Sequence, residues 1–487
     1  MMPLGSPAQQ LVDGAWCDAS DGGDWQVIDP ATEAVVARVP FGGAADANRA
    51  IEAAARALPQ WRSLTAYARG AVLQQAAALL RERAETLGRV TVRESGKPLG
   101  DATREWLVAA DFFDFYAEEG KRAYGHTIPA RSPTRRMMVL HEPVGVVGVI
   151  TAWNFPAYNP ARAVAAALGA GCTVVLRPSE LTPLSAMALG AALQDAGLPN
   201  GVLAVINGDP VAMGQAMLDH PALRKISFTG STAVGRLLMD GASRTFTRLS
   251  LELGGNAPVL ILPDVDIVAV AKAAVAARFR NAGQVCVSPQ RFLVARNQMA
   301  QFEEVVIAQT QLLKVGSGFD PEVRVGPLAS ARHRQRVEGI LAQATRSGAT
   351  VLTGGQRPVL PDHGFFLQPT VLGNVTQQMA VYAEEVFGPL LCMTPFDQLD
   401  EAIALANHTS YGLAAYVFTN DLSAAMYAYE RLNFGMVGVN DWAPQATEAP
   451  FCGRNSSGTG HEGGREGLFD NLQTKLVTIG GLTTEAR

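Results

Sequence analysis

From residue 142 to residue 252 the chain alternates two kinds of segment. "VGVVGVIT", "CTVVLRPS", "GVLAVINGD", "RKISFTG" and "RLSLELGG" are short and mainly apolar. Between them lie "NPARAVAAALGAG", "SAMALGAALQDAGLP", "PVAMGQAMLDH" and "STAVGRLLMDGAS", with the composition of helices. Strands that are apolar along their length are buried on both faces. Alternated with helices, they specify a parallel sheet with helices above and below. Such a sheet receives ligands at the carboxyl ends of its strands.

The remaining chain reads around that core. At 487 residues it is too long for one compact core, and about three domains are expected. The opening, to about residue 43, mixes short apolar runs with Asp, Gly and Pro and predicts small strands and turns. Residues 44–118 carry helical spacing, interrupted by "ESGKPLG". A second α/β region spans roughly 253–454, and "NLQTKLVTIGGL" ends the chain as a strand with little core of its own.

Several function classes fall away. The net charge is -5 and no dense Lys/Arg cluster occurs, so nothing favours nucleic acid. The first residues lack a basic segment followed by an apolar one, so no signal peptide is expected. The longest uncharged apolar run, 163–176, contains two glycines. A membrane span needs about 20 residues, so no membrane partner is expected. The five cysteines are scattered, without a disulfide framework or a CxxC metal pattern, which suggests a reducing cytoplasm and no metal.

Candidate chemistry collects at the strand ends. In "ISFTGSTAVG" a strand turns at Gly230 and Ser231 into a helix carrying Gly235. Helix N-terminal amides attract phosphate, although a bland strand-to-helix turn looks the same. In "VVLRPSE", Glu180 could accept from a ribose diol, or Ser179 and Glu180 could cap the next helix. In "ITAWNFPAYNP", Asn154 could donate to an oxyanion or satisfy its own loop backbone. Glu252, beside a Gly-Gly pair in "LSLELGGNAP", is a charge in an apolar strand end, and burial would raise its pKa into the range of a general base. A free cysteine is usually inert packing. Cys286 differs from the other four in its polar setting of Asn281, Gly283, Gln284 and Ser288. It has no histidine near it in sequence, so Glu252, water or a cation would have to favour its thiolate.

"AWNFP", "RPSELTPLSA", "FTGSTAVG", "LELGGNAP", "GQVC" and "EEVFGPL", in this order and spacing, resemble the aldehyde dehydrogenase superfamily over essentially the whole chain. The resemblance implies an α/β fold with a Rossmann-like dinucleotide-binding domain, an α/β catalytic domain and a small β oligomerisation element. The corresponding segments are 1–122 with 143–252, then 253–454, then 123–142 with 455–487. It implies Cys286 as nucleophile, Asn154 and the Cys286 N–H as oxyanion hole, and Glu252 as general base. Trp153, Arg177, Ser179, Glu180, Gly230, Ser231, Gly235, Leu253, Glu385 and Phe387 would contact the cofactor. That cofactor is NAD, with NADP admitted because Arg177 replaces the usual Lys while Glu180 would repel a 2′-phosphate. A homodimer or homotetramer is implied.

Arg162, Arg280 and "YAEEGKRAYGHTIP" (116–129) are similar to the succinate-semialdehyde dehydrogenase subgroup, whose two arginines clamp the distal carboxylate of the substrate. The bland alternative is that either Arg ties a helix to an acid. Gln445 stands where that subgroup has Ser, which leaves room for an aliphatic or aromatic aldehyde without a carboxylate. Ser288 stands where redox-switched members carry a second Cys, so no such disulfide is expected. Outside the family, a cysteine acyl hydrolase without dinucleotide or a structural paralogue are the rival readings.

Overall fold

The computed structural model describes residues 8–359 and 363–482. The first sheet has eight strands, in the spatial order Gly458–Thr459, Arg248–Glu252, Leu223–Thr229, Val146–Ile150, Thr173–Arg177, Leu203–Val205, Gln10–Val12 and Ala15–Cys17. The five strands between residues 146 and 252 are mutually parallel, as their unbroken apolar pattern requires. The N-terminal pair and Gly458–Thr459 add antiparallel edges.

Helices cover both faces. Ala44–Ser63, Pro210–Asp219 and Thr232–Ala242 bury their apolar sides on one. Ala66–Glu82, Leu99–Glu119, Tyr158–Ala170 and Pro183–Asp195 cover the other. The parallel set starts at the central strand Val146–Ile150, runs outward through Thr173–Arg177 and Leu203–Val205, then crosses back to Leu223–Thr229 on the other side. That reversal is a topological switch point, and it opens a crevice at the carboxyl ends of its strands.

The second sheet has seven strands in the order Thr350–Thr353, Thr370–Gly373, Leu390–Phe396, Pro289–Ala295, Ala257–Ile261, Ala414–Phe418 and Met436–Val439. All neighbours are parallel except the first pair. A third, antiparallel sheet joins Leu472–Ile479, Arg136–Pro143 and His126–Ile128.

One expected boundary moves. The sequence reading put all of 455–487 with the small sheet. Gly458–Thr459 instead pairs with Arg248–Glu252 in the first sheet, and helix Gly464–Phe469 packs toward Tyr158–Ala170. A two-residue strand has no periodicity of its own, so sequence pattern could not separate it from the tail. Residues 483–487 lie outside the described residues. No helix among the described residues is long and apolar enough to cross a membrane.

Candidate active site

The crevice of the first sheet meets the loop that enters strand Pro289–Ala295 of the second, and Cys286 lies on that loop. Its approach is unusual: Asn281, Ala282 and Gly283 all take positive φ, 51°, 55° and 73°. Left-handed backbone at two non-glycine residues is costly and persists only where surroundings enforce it. Here the Asn281 amide donates to the Asn154 carbonyl (3.0 Å), and Gln284 donates to the carbonyls of Asn281 and Pro327. The Cys286 thiol is half-buried, and burial pushes its pKa up to about 12, with Arg162 pulling the other way.

Asn154 follows the central strand of the first sheet and is held at three atoms. Its carbonyl accepts from Asn281 and from Lys97 Nζ (2.9 Å). Its Oδ1 accepts from Asn159, and its Nδ2 donates to the Gln284 carbonyl at 3.1 Å. One Nδ2 hydrogen remains for a ligand. Glu252 ends its strand fully buried, and neither carboxylate oxygen has a partner. Burial and the nearby Glu462 raise its pKa well above the ordinary carboxylate value, against the pull of Arg162. A buried acid without a hydrogen bond is held neutral until something draws its proton away.

A cavity of about 270 Å³ runs outward from Cys286. Its charged lining is Lys97, Arg104, Arg162 and Arg280 against Asp101 and Glu105, and Gln445 shares the wall with a buried, unpartnered Oε1. The two expected clamp arginines differ. Arg162 spends Nε and Nη2 on Glu462 and lies between the rings of Tyr158 and Phe451, leaving only Nη1 without a partner. That pairing is the helix-to-acid tie considered as the bland alternative, and 300 residues of separation hid it. Arg280 is exposed at the cavity and, among the described residues, has no carboxylate partner.

The other expected residues have these local partners. Arg177 ends the strand Thr173–Arg177, where Nη2 donates to Glu180 (2.9 Å) and to the Gly208 carbonyl. The capping alternative fails, because the helix starts at Pro183 and Glu94 from a neighbouring helix accepts the N–H groups of Leu184 and Ser185. Ser179 instead accepts from the Leu181 N–H. Gly230 donates to the Glu252 carbonyl, and Ser231 caps helix Thr232–Ala242. Gly235 packs so closely on Leu253 that a Cβ there would lie 2.7 Å from its side chain. Trp153 meets Phe387 edge-on, and Glu385 accepts from the Gly255 N–H.

Two residues near the site escaped the sequence reading. Lys97 sat in a segment read only as a spacer. Glu462 sat in a glycine-rich stretch without periodicity. Ser288 is a structural hydroxyl, bonded to the Arg278 guanidinium and carbonyl.

The model of the aldehyde dehydrogenase family matches residues 16–477. The chain belongs to the aldehyde dehydrogenase family. It is therefore an oxidoreductase acting on the aldehyde group. It is similar to the 3-sulfolactaldehyde dehydrogenase of Pseudomonas putida, 43% identical over 486 residues, which cover 99% of this chain and 100% of that one. It is 45% identical over 461 residues to a probable NADP(+) succinate-semialdehyde dehydrogenase of Sinorhizobium fredii, covering 94% of this chain and 93% of that one. Among solved structures it superposes with TM-score 0.96 on the NAD+ complex of betaine aldehyde dehydrogenase from Staphylococcus aureus. That match is 34% identical, over 98% of this chain and 95% of the other.

Proposed function

We propose that this aldehyde dehydrogenase oxidises an aldehyde carrying a distal carboxylate, such as succinate semialdehyde, to the dicarboxylate with NAD(P). The observation that carries this reading is the cationic cavity lined by both Arg280 and Cys286, in which the Arg280 guanidinium stands 5.9 Å from the centre of the Phe155 ring and, among the described residues, makes no ion pair. A planar fork matches a carboxylate with two parallel hydrogen bonds.

The cofactor crevice fits a dinucleotide. Arg177 retains a buried Nε–H without an acceptor, and Glu180 beside it offers carboxylate oxygens to a ribose. The nicotinamide, when bound, supplies the acceptor for hydride. The protein does the rest. Cys286 gives up its thiol proton to solvent as Sγ adds to the aldehyde carbon, and the Asn154 amide with the Cys286 N–H receives the oxygen as it becomes negative. Loss of hydride leaves a thioester on Cys286. Glu252 then takes a proton from water, whose oxygen attacks the thioester carbon and releases the acid and the thiol. Burial pushes Glu385 up to about 7, which limits the carboxylate charge opposing a forming thiolate, and it raises the pKa of Glu252, so the proton from water is taken by the ionised fraction of Glu252.

The Arg177–Glu180 pair also bears on cofactor choice. The guanidinium already balances the carboxylate that would repel a 2′-phosphate, so NAD and NADP are both accommodated. Glu180→Gln removes the negative charge that balances that guanidinium. We expect kcat/KM for NADP over NAD to rise about tenfold, as one charge-assisted hydrogen bond would give; an unchanged ratio rejects the pairing argument.

Substrate choice is tested at Arg280. Arg280→Met should lower kcat/KM for succinate semialdehyde about 10- to 100-fold and leave butanal nearly unchanged. Equal losses on both aldehydes would remove the clamp from the proposal. A sulfonate in place of the carboxylate is a second reading, favoured by Arg104 standing on the same cavity with no acidic partner among the described residues. A sulfonate-bearing aldehyde belongs in the same panel. The mostly exposed strand Leu472–Ile479 and the isolation of its three-stranded sheet support a homodimer or homotetramer. Five unpaired cysteines support a reducing, cytoplasmic setting.

A further inference from the structure

Lys97 is a buried cation of the cavity, 2% exposed, in the turn between helices Ala84–Ser95 and Leu99–Glu119. The turn is built tightly: Gly96 has φ 75°, and a Cβ at Gly318 would lie 2.2 Å from the Lys97 carbonyl. Lys97 Nζ donates to Glu105 and to the Asn154 carbonyl (2.9 Å), and it sits 4.4 Å from the centre of the Phe155 ring. Glu105 in turn accepts the N–H groups of Ala157 (2.8 Å) and Tyr158 (3.0 Å). Those are among the free donors at the start of helix Tyr158–Ala170, which carries Asn159 and Arg162. The stretch from Asn154 to Tyr158 is thus gripped from one side by the Lys97–Glu105 pair and from the other by Asn281.

We infer that Lys97 is a positioning residue for the oxidation step: by holding the Asn154 carbonyl, it fixes the Asn154 amide against the carbon that Cys286 attacks. The inference rests on the proposed oxyanion role of Asn154. A purely structural role explains the arrangement less well. An apolar or neutral pair of similar size would fill the space without the desolvation cost of a buried ion pair. The Asn154 carbonyl would also keep a donor, Asn281, if Lys97 were absent. What Lys97 adds is a second donor on that carbonyl, beside the contacts that Asn159 and Gln284 make with the Asn154 side chain. An error of about 1 Å in a group that stabilises a transition state costs about 100-fold in rate.

The test uses the full-length enzyme with Lys97→Met, with Lys97→Met/Glu105→Gln and with Asn154→Ala. The Gln still accepts a backbone N–H, and the double variant buries no unpaired charge. Tm, cofactor Kd, aldehyde KM and kcat are measured for each. The double variant should recover most of any Tm loss of the single variant and bind cofactor as the parent does. Its kcat should remain about 100-fold low, with KM changed much less, because the lost interaction acts at the transition state. Recovery of both Tm and kcat makes the pair structural and overturns the inference. So does a kcat loss matched by loss of cofactor binding, or a double variant that does not fold. If Asn154→Ala keeps full kcat, the oxyanion reading itself has failed, and Lys97 falls with it. If Asn154→Ala is inactive while Lys97→Met is fully active, only the Lys97 inference fails.

Discussion

Cys286→Ala should abolish aldehyde oxidation while leaving cofactor affinity intact. The loss should be on the order of 10⁴-fold or more, because deleting a covalent nucleophile removes the step on which the others depend. The substitution is small and local: the thiol is half-buried on a loop already shaped by Asn281, Ala282 and Gly283. Fluorescence titration with NAD and NADP checks the cofactor side, and absorbance of the reduced cofactor checks oxidation. Full activity in the variant would end the nucleophile assignment. The parent offers a companion measurement. With its pKa pushed up to about 12, the thiol of the cofactor-free enzyme is overwhelmingly protonated at neutral pH. Its alkylation by iodoacetamide should therefore rise about tenfold per pH unit from pH 7 to 9, following the thiolate fraction. A plateau in that range would mean that the cofactor-free loop differs from the one described.

Glu252→Gln should separate the two halves of the reaction. The amide is nearly isosteric, and neither carboxylate oxygen has a partner to lose, so folding should be little affected. Steady-state turnover should fall about 10²- to 10⁴-fold, the range for a lost general base. A single-turnover burst of reduced cofactor should survive, because hydride loss precedes hydrolysis of the thioester. If the burst disappears with the turnover, Glu252 acts before the thioester and its assigned role is wrong. The sign of the pH dependence follows from its environment. Burial and Glu462 raise its pKa, so below that value it is protonated and cannot accept from water. The hydrolysis rate must climb as pH rises through a value well above the ordinary carboxylate pKa. That limb should vanish in the Gln variant.

The parallel core between residues 142 and 252 was legible because apolar runs of strand length leave few alternatives. The ordered motifs single out Cys286, Glu252 and Asn154, and hydrogen bonds from Asn281 and to Gln284 tie Asn154 to the Cys286 loop. The partners of those residues were not legible. Nothing near Arg162 announces Glu462, because the pair is made by the tail folding back onto the first sheet. Lys97 looked like punctuation between helices, since its partner Glu105 lies on the next helix, and burial cannot be read from a Gly-Lys-Pro turn. The choice between ribose acceptor and helix cap for Glu180 depended on where the helix begins. A distant side chain, Glu94, took over the cap, which only the fold could reveal.

The strand Gly458–Thr459 carries a consequence for how the protein is made. It closes the edge of the sheet next to Arg248–Glu252, yet it is synthesised long after the other seven strands of that sheet. While the second sheet is still being translated, the nascent first half therefore carries an open edge with free backbone groups. Such an edge is a template for mispairing with a neighbouring chain. Premature termination before residue 458 should therefore yield sticky fragments rather than inert ones, and expression at high ribosome density should depend on chaperones that shield this edge.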